Sequence, residues 1–510
     1  MGLARTLTTV AVVALIGAGL LLGPGARPAL ADVPAGFRVV GHTAVTIGVE
    51  RFELEREKPP LRVHVARIAP DAPVSLRAVL SNDAVAGDEP IVERTSSMCA
   101  RVHCLLAVNG DFAGADDQPL GGLLTGGELL RTPSPTQLQL SVGKDGRLSA
   151  GELSWTGTLV PTDLEPLTLG GVNVTAAPEV LTLYTPAYGP RLEPAVPVTL
   201  AGFRNVEPAG PLAVGQTTMV EITGLWEQPA GAPSPIPADG GVLAGRGAAA
   251  QALRSLWNRV EGGRVSNRAL LRLDTQAGVA ESIGGSPILI RDGARWFADA
   301  ANDFTRGRQP RTLVGWNPAG EKLLVTVDGR QPEDSVGMTL AEAADLLLAL
   351  GATDGINLDG GGSTTFVAGG TVVNTPSDVA VRRGDGEAIQ HLASPGQDVI
   401  GHVERPVTSA LVVVPKNEVS VPPAPAATGA SSELSQALTV TARSSTDPGS
   451  VPLGAVPALV PGPEVGFGPA LRLTAVVADA VVASALAVLA VSRRGGRRPR
   501  PRRDRTALAA

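Results

Sequence analysis

Apolar runs separated by short polar turns dominate residues 268–415. "SPILI" (286–290) and "RWF" (295–297) flank Asp292-Gly293, the mark of a tight hairpin. "TLVGW" (312–316) and "KLLVTV" (322–327) flank "NPAGE" and predict a second hairpin. In "GMTLAEAADLLLALGA", Thr339 and Glu342 have capping-box spacing and Gly351 stands where a helix-ending glycine belongs, so a helix is expected over about 340–350. "INL" (356–358) reads as a buried strand. Strand, helix and strand within about 35 residues predict a βαβ unit with a right-handed crossover and two parallel strands in one sheet.

Elsewhere the pattern is mainly that of strands and turns. "QLQLSVGKDGRLSAGELSW" alternates around a Lys-Asp-Gly-Arg turn, and residues 136–226 are β-rich throughout. "GAAAQALRSLWNRV" (247–260) is the first convincing helix after the N-terminal run. Together these elements predict an α+β fold. It would have a β-rich mixed sheet with a βαβ unit in its core, an all-β elaboration, and a transmembrane helix near the C-terminus.

Both ends carry membrane-related patterns. Arg5, "LTTVAVVALIGAGLLL" (7–22) and "ALA" (29–31) make a secretory signal over 1–31, its apolar run short of the ~20 residues a span needs. "LTAVVADAVVASALAVLAV" (473–491) has bilayer length and precedes an arginine-rich tail. It predicts a span over 471–492 with residues 493–510 in the cytoplasm. Asp479 opposes this, at roughly 2.5–3.5 kcal/mol on insertion scales. The intervening parts divide into 32–135, a β-rich insertion at 136–245, a core at 246–415, and a Pro/Ala/Ser-rich linker at 416–470.

Composition adds limits. The 61 Gly, 43 Pro and 3% aromatic residues suit short strands, and a net charge of -6 gives no reason to expect nucleic acid. Cys99 and Cys104 are the only cysteines; on an exported chain they are expected to pair, two free thiols being the other reading. The histidines (His42, His64, His103, His391, His402) show no zinc spacing, so no metal or other cofactor is expected.

The chemistry should lie where the strands end. Asp328 follows "KLLVTV" and Asp359 follows "INL", so parallel strands would place both carboxylates at one sheet edge. The hairpin returns Arg311 to that edge, and Arg330 lies two residues past Asp328. "LLAVNGDF" (105–112) likewise runs straight into Asn109, Gly110 and Asp111. Most Asp-Gly pairs in this chain are ordinary turns. "NLDGGGS" differs: Asn357 and Asp359 alternate at a buried strand end, and three glycines leave backbone N–H groups open to an anion or sugar.

Several blocks together resemble the phosphodiester glycosidase family: "AVNGDF" (107–112), "GGSPILIRDG" (284–293), "QPRTLVGW" (309–316), residues 323–366, "VNTPSD" (373–378) and "ERPVTSALVV" (404–413). The resemblance implies hydrolysis of a sugar-1-phosphodiester, with a phosphorylated glycan or small sugar phosphodiester as partner. It further implies a site lined by Asn109, Asp111, Arg311, Thr312, Asp328, Arg330, Asn357, Asp359, Gly360, Gly361, Gly362, Ser363 and Thr364. The chain departs from the family's pattern at Gln309, where His is usual, and at Ala113, where an aromatic is common. Asp359 or Asp328 is expected as nucleophile or base, Asp111 as a third catalytic acid, and Arg311 and Arg330 as phosphate holders. A non-catalytic module binding phosphorylated glycans and a metal-assisted phosphodiesterase are the alternatives.

Overall fold

The two hairpins and the capped helix form where their patterns require. The computed structural model describes residues 33–416 apart from 88–90, 162–164, 258–259, 262–263, 266, 384–385 and 391–398. Ile288–Arg291 pairs antiparallel with Ala294–Arg295 across Asp292 and Gly293, both at positive φ. Arg311–Trp316 pairs antiparallel with Lys322–Val327. The helix Leu340–Ala349 starts at a complete capping box between Thr339 and Glu342, and Gly351 has φ 91° beyond its end. The helices at Leu340–Ala349 and Ala248–Trp257 and the turn between Leu138–Gly143 and Leu148–Glu152 also match the sequence pattern.

The predicted βαβ unit is rearranged in one respect. Lys322–Val327 and Asp354–Asn357 do run in the same direction in one sheet, but Arg311–Trp316 lies between them, antiparallel to both. The eight-stranded sheet therefore contains only antiparallel neighbours rather than the mixed pairing expected for the core. A parallel pair does occur in the elaboration, between Leu167–Val172 and Leu181–Tyr184. The interposed strand still serves the site. Arg311 pairs with Val327 and Leu313 with Asn357, so the ends carrying Asp328 and Asp359 flank the start of 311–316.

Period-two alternation gives the sheet two apolar faces. Leu313, Leu323, Val325 and Val327 pack with Leu346 and Leu347 of the helix. Val314, Leu324 and Ile356 face the other way, toward Leu106, Val108, Phe366 and Leu411 of a second, five-stranded sheet. Each fully buried leucine in these layers contributes roughly 1.5–3 kcal/mol. The second sheet holds Leu106–Asn109 between Phe366–Ala368 and Ser409–Pro415. Cys99 and Cys104 form a disulfide, with Cα atoms 4.9 Å apart, between the helix Thr95–Arg101 and that strand.

The elaboration closes on itself. Seven strands from Trp155–Pro161 to Arg268–Thr275 make a barrel around Leu159, Phe203, Leu243 and Leu271, with Leu253 and Leu256 of the helix Ala248–Trp257 in the same core. Among the described residues no helix is long and apolar enough to cross a membrane. The expected signal at 1–31 and span at 471–492 lie outside them.

Candidate functional site

The edge reached by 311–316, 322–327 and 354–357 meets the end of Leu106–Asn109, and Asn109 joins the two. Its side chain is fully buried; Nδ2 donates to the Asp359 carbonyl at 2.7 Å, and Oδ1 accepts from Thr312 Oγ1 at 2.6 Å and from the Thr365 amide at 3.2 Å. The Asp359 amide donates to the Gly110 carbonyl at 3.0 Å. Asn109 and Thr312, expected to touch substrate, instead fix the backbone that carries Asp359.

Asp359 is half-buried at the centre. Burial raises its pKa, opposed by hydrogen bonds from Ser363 and the Gly360 amide and by the charges of Arg405 and Arg330. Asp111 lies close by, buried, accepting from the Phe112 amide at 2.8 Å and the Gly121 amide at 2.5 Å. Burial, with the Asp359 charge added, pushes Asp111 up to about 7. Burial is the largest influence on both carboxyls; guanidiniums and hydrogen bonds oppose it at Asp359, and the Asp359 charge adds to it at Asp111.

The three glycines have a specific cause. A Cβ on Gly361, at φ 63°, would lie 2.9 Å from Arg330 Nη2. One on Gly362 would collide with the guanidinium of Arg405 and the carboxylate of Asp378, and one on Gly360 would lie 2.7 Å from the Pro310 carbonyl. Two guanidiniums thus press against bare main chain beside Asp359. This differs from the expected open N–H cradle: the amides of Asp359, Gly360, Gly361, Ser363 and Thr364 all donate within the protein.

Other expected residues stand differently. Asp328 is 1% exposed and turned inward, accepting from Asn374 Nδ2 and the Thr375 amide, both at 3.0 Å. His64 Nε2 is 3.6 Å from its Oδ2. Asn374 in turn donates to the Thr364 carbonyl at 3.1 Å and accepts from the Phe366 amide at 2.7 Å, so Asp328 supports the segment after the glycines instead of facing the cleft. Arg311 is buried and two of its three nitrogens are engaged: Nε meets the Met338 carbonyl at 2.9 Å, and Nη2 the carbonyls of Phe304 at 2.7 Å and Gly307 at 3.0 Å. It braces two loops rather than offering a two-pronged grip. Asn357 spends Nδ2 on the carbonyls of Ser286 and Leu358, while its buried Oδ1, like Thr364 Oγ1, has no partner in the protein.

Sequence reasoning missed Arg405 and Asp378. Arg405 donates through Nε and Nη2 to Asp378 at 2.8 and 3.0 Å, which aims it at Gly362. Both lie in "ERPVTS" and "VNTPSD", but nothing local marks them as a pair. Gln309, the departure from the family's His, accepts from Arg330 Nε at 2.9 Å and so holds that guanidinium in place. Gln139, fully buried with neither amide atom paired, lies beside Asp111 across Gly121. Among the described residues no group of three or more His, Cys, Asp or Glu could hold a metal ion.

The site thus sets a carboxylate near two guanidiniums on a β-rich core interrupted by a barrel. Residues 216–414 match the phosphodiester glycosidase family. The chain is 34% identical over 119 residues to N-acetylglucosamine-1-phosphodiester alpha-N-acetylglucosaminidase of Bos taurus, covering 21% of this chain and 22% of that protein. The Homo sapiens enzyme of the same name is 32% identical over 119 residues, covering 21% and 23%. The match thus spans under a quarter of the length of either relative. A crystal structure of a hypothetical protein from Synechocystis shares the fold, with TM-score 0.54 and 20% identity over 75% of this chain and 64% of that one.

Proposed function

We propose that the chain is a phosphodiester glycosidase that cleaves the bond between an anomeric carbon and the phosphate oxygen of a sugar-1-phosphodiester. The observation that carries this reading is the packing of Arg330 and Arg405 against Gly361 and Gly362, beside Asp359, whose carboxyl feels both guanidinium charges. The guanidinium charge of Arg330, with that of Arg405 held by Asp378, stabilises the phosphate as it departs. A phosphate leaving group is weakly basic, so one well-placed carboxylate suffices to attack the anomeric carbon or to activate water against it. Asp359 takes that role; water supplies the oxygen that ends on the sugar. Asp111, poised near neutrality, exchanges a proton beside it.

The names of the relatives support an α-linked N-acetylglucosamine as the sugar. The signal pattern at 1–31, the disulfide, and the apolar run at 471–492 with its basic flank support an exported enzyme held at the cell membrane. Envelope glycans joined through phosphate are then the substrates within reach.

The test is turnover of a panel of sugar-1-phosphodiesters by the full chain and by Asp359→Asn. Wild type should release free sugar and a phosphomonoester, with kcat in the variant down by at least about a thousandfold and its melting temperature little changed. Wild-type rates in Asp359→Asn, or no turnover of any member by wild type, would overturn the proposal.

A further inference from the structure

Arg131 ends the strand Glu128–Arg131 and is only 8% exposed. Its hydrogen-bond partners are neutral: Nη1 donates to Gln118 Oε1 at 2.8 Å and to the Asn173 carbonyl at 3.0 Å. Nε, also buried, has no partner within the protein. The charges of Asp116 and Asp111 act on the guanidinium, yet burial still draws its pKa below the ordinary arginine value. Asp116 is exposed, and Asp111 spends its carboxylate on the Phe112 and Gly121 amides. A buried cation bonded only to neutral acceptors is costly unless something brings a negative charge to it.

Arg131 borders a cavity of about 560 Å³ where segment 131–137 meets the barrel strands Trp155–Pro161 and Leu167–Val172. That volume is typical of small-molecule sites. None of Asp359, Asp111, Arg330 and Arg405 lines it. The partly buried Trp155 does, together with Ser134, Gln137 and Thr175. Glu152, exposed, is the single acidic residue in the lining.

The walls are fixed in advance. Asn173, fully buried at φ 52°, donates Nδ2 to the Leu130 carbonyl at 2.7 Å and to Thr185 Oγ1 at 2.8 Å. The Tyr184 hydroxyl donates to the Val174 carbonyl at 2.6 Å, and the Ser134 amide to the Leu120 carbonyl at 3.1 Å. Trp155 is in register with Thr275 at the start of its barrel strand. A preformed site loses little freedom on binding.

This lining suits a ligand with a negative charge for Arg131, a flat apolar face for Trp155, and hydroxyls for Ser134, Gln137 and Thr175. An acidic pyranose has all of these. Its C–H face stacks on the indole, while its hydroxyls and its carboxylate or phosphate meet the polar groups. A free inorganic anion would leave the indole unused, and an alkyl acid would leave the polar side chains unanswered.

We propose that this cavity is a second, non-catalytic site for an acidic saccharide, whose charged group pairs with Arg131 and whose ring stacks on Trp155. The assignment does not depend on the reaction proposed for Asp359.

Titration of the full chain with glucuronate, glucose-6-phosphate, glucose and inorganic phosphate, followed by ligand-observed NMR, tests it. Wild type should bind at least one acidic sugar roughly tenfold more tightly than glucose or inorganic phosphate. Arg131→Gln should erase that preference. Thr175→Trp, which fills the cavity from an exposed position, should block binding with the melting temperature unchanged. Glu152→Gln, which removes a like charge, should tighten binding of the acidic sugar by about two- to threefold. If Arg131→Gln fails to fold, Thr175→Trp and Glu152→Gln decide the question. Equal affinity for glucose and the acidic sugars, inorganic phosphate bound as tightly as either acidic sugar, or binding untouched by Thr175→Trp overturns the site. Acidic-sugar binding lost in Arg330→Gln but kept in Thr175→Trp would place the ligand beside Asp359 and overturn it equally.

Discussion

Asn109 donates from its side chain to the backbone carbonyl of Asp359 at 2.7 Å, across 250 residues of sequence. The same side chain accepts from Thr312 and from the Thr365 amide. One buried amide thus ties the second sheet, the 311–316 strand and both flanks of the glycine loop to a single point.

That role leads to the first prediction. Asn109→Ala would strand a buried hydroxyl, an amide N–H and a carbonyl, at about 1–3 kcal/mol for each unpaired group. The melting temperature should fall by several degrees and kcat should drop, while Asn109→Asp, which keeps the acceptor for Thr312 and Thr365, should fold better than the alanine variant. Thermal unfolding and initial rates on both variants check this; an alanine variant as stable as wild type would show that Asn109 is not the tie.

The paired guanidiniums give the second. Arg330→Gln and Arg405→Gln should each lower kcat/KM on a sugar-1-phosphodiester by about a hundredfold, because a charge-assisted contact strengthened as the phosphate departs is lost. Gly362→Ala should do comparable harm, since its methyl would displace the Arg405 guanidinium. Steady-state kinetics on the three variants decide the matter, and a fully active Gly362→Ala enzyme would deny the close approach any function.

Asp111 supplies a pH dependence of stability. Its folded pKa of about 7 lies above the ordinary 3.8, so the folded state holds the proton more tightly than the unfolded chain. The stability this group provides is complete below the ordinary value, near pH 4, and is lost as pH rises through 7, by on the order of 4 kcal/mol at most. Replacing Asp111 by Asn removes that dependence. The melting temperature of Asp111→Asn relative to wild type should therefore climb between pH 5 and pH 8. A difference that stays flat over that range would place Asp111 in a more polar setting than its burial implies.

Much of this was legible in the chain because local rules governed it. Asp292-Gly293, "NPAGE", the Thr339–Glu342 box and Gly351 each act over a few residues, and the corresponding hairpins and helix are present. Strand order is not local. Nothing in "TLVGW" says that it lies between its hairpin partner and 354–357, and this placement turned a parallel pair into an antiparallel sheet. Side-chain direction was equally hidden. Arg311 and Asp328 reach the expected edge, but carbonyls of 304, 307 and 338 capture the first, and Asn374 and Thr375 the second. The triple glycine announced a close approach without naming what approached; its main partner, Arg405, arrives from 43 residues past Gly362 in sequence.

The bond that breaks is the most direct test of the whole account. A sugar-1-phosphodiester hydrolysed by the full chain in oxygen-18 water, followed by mass spectrometry of both products, shows where the solvent oxygen goes. Attack at the anomeric carbon under Asp359 puts the label in the released sugar and none in the phosphomonoester. Label in the phosphate would mean that the P–O bond had been cleaved, and would contradict the glycosidase chemistry proposed for this site.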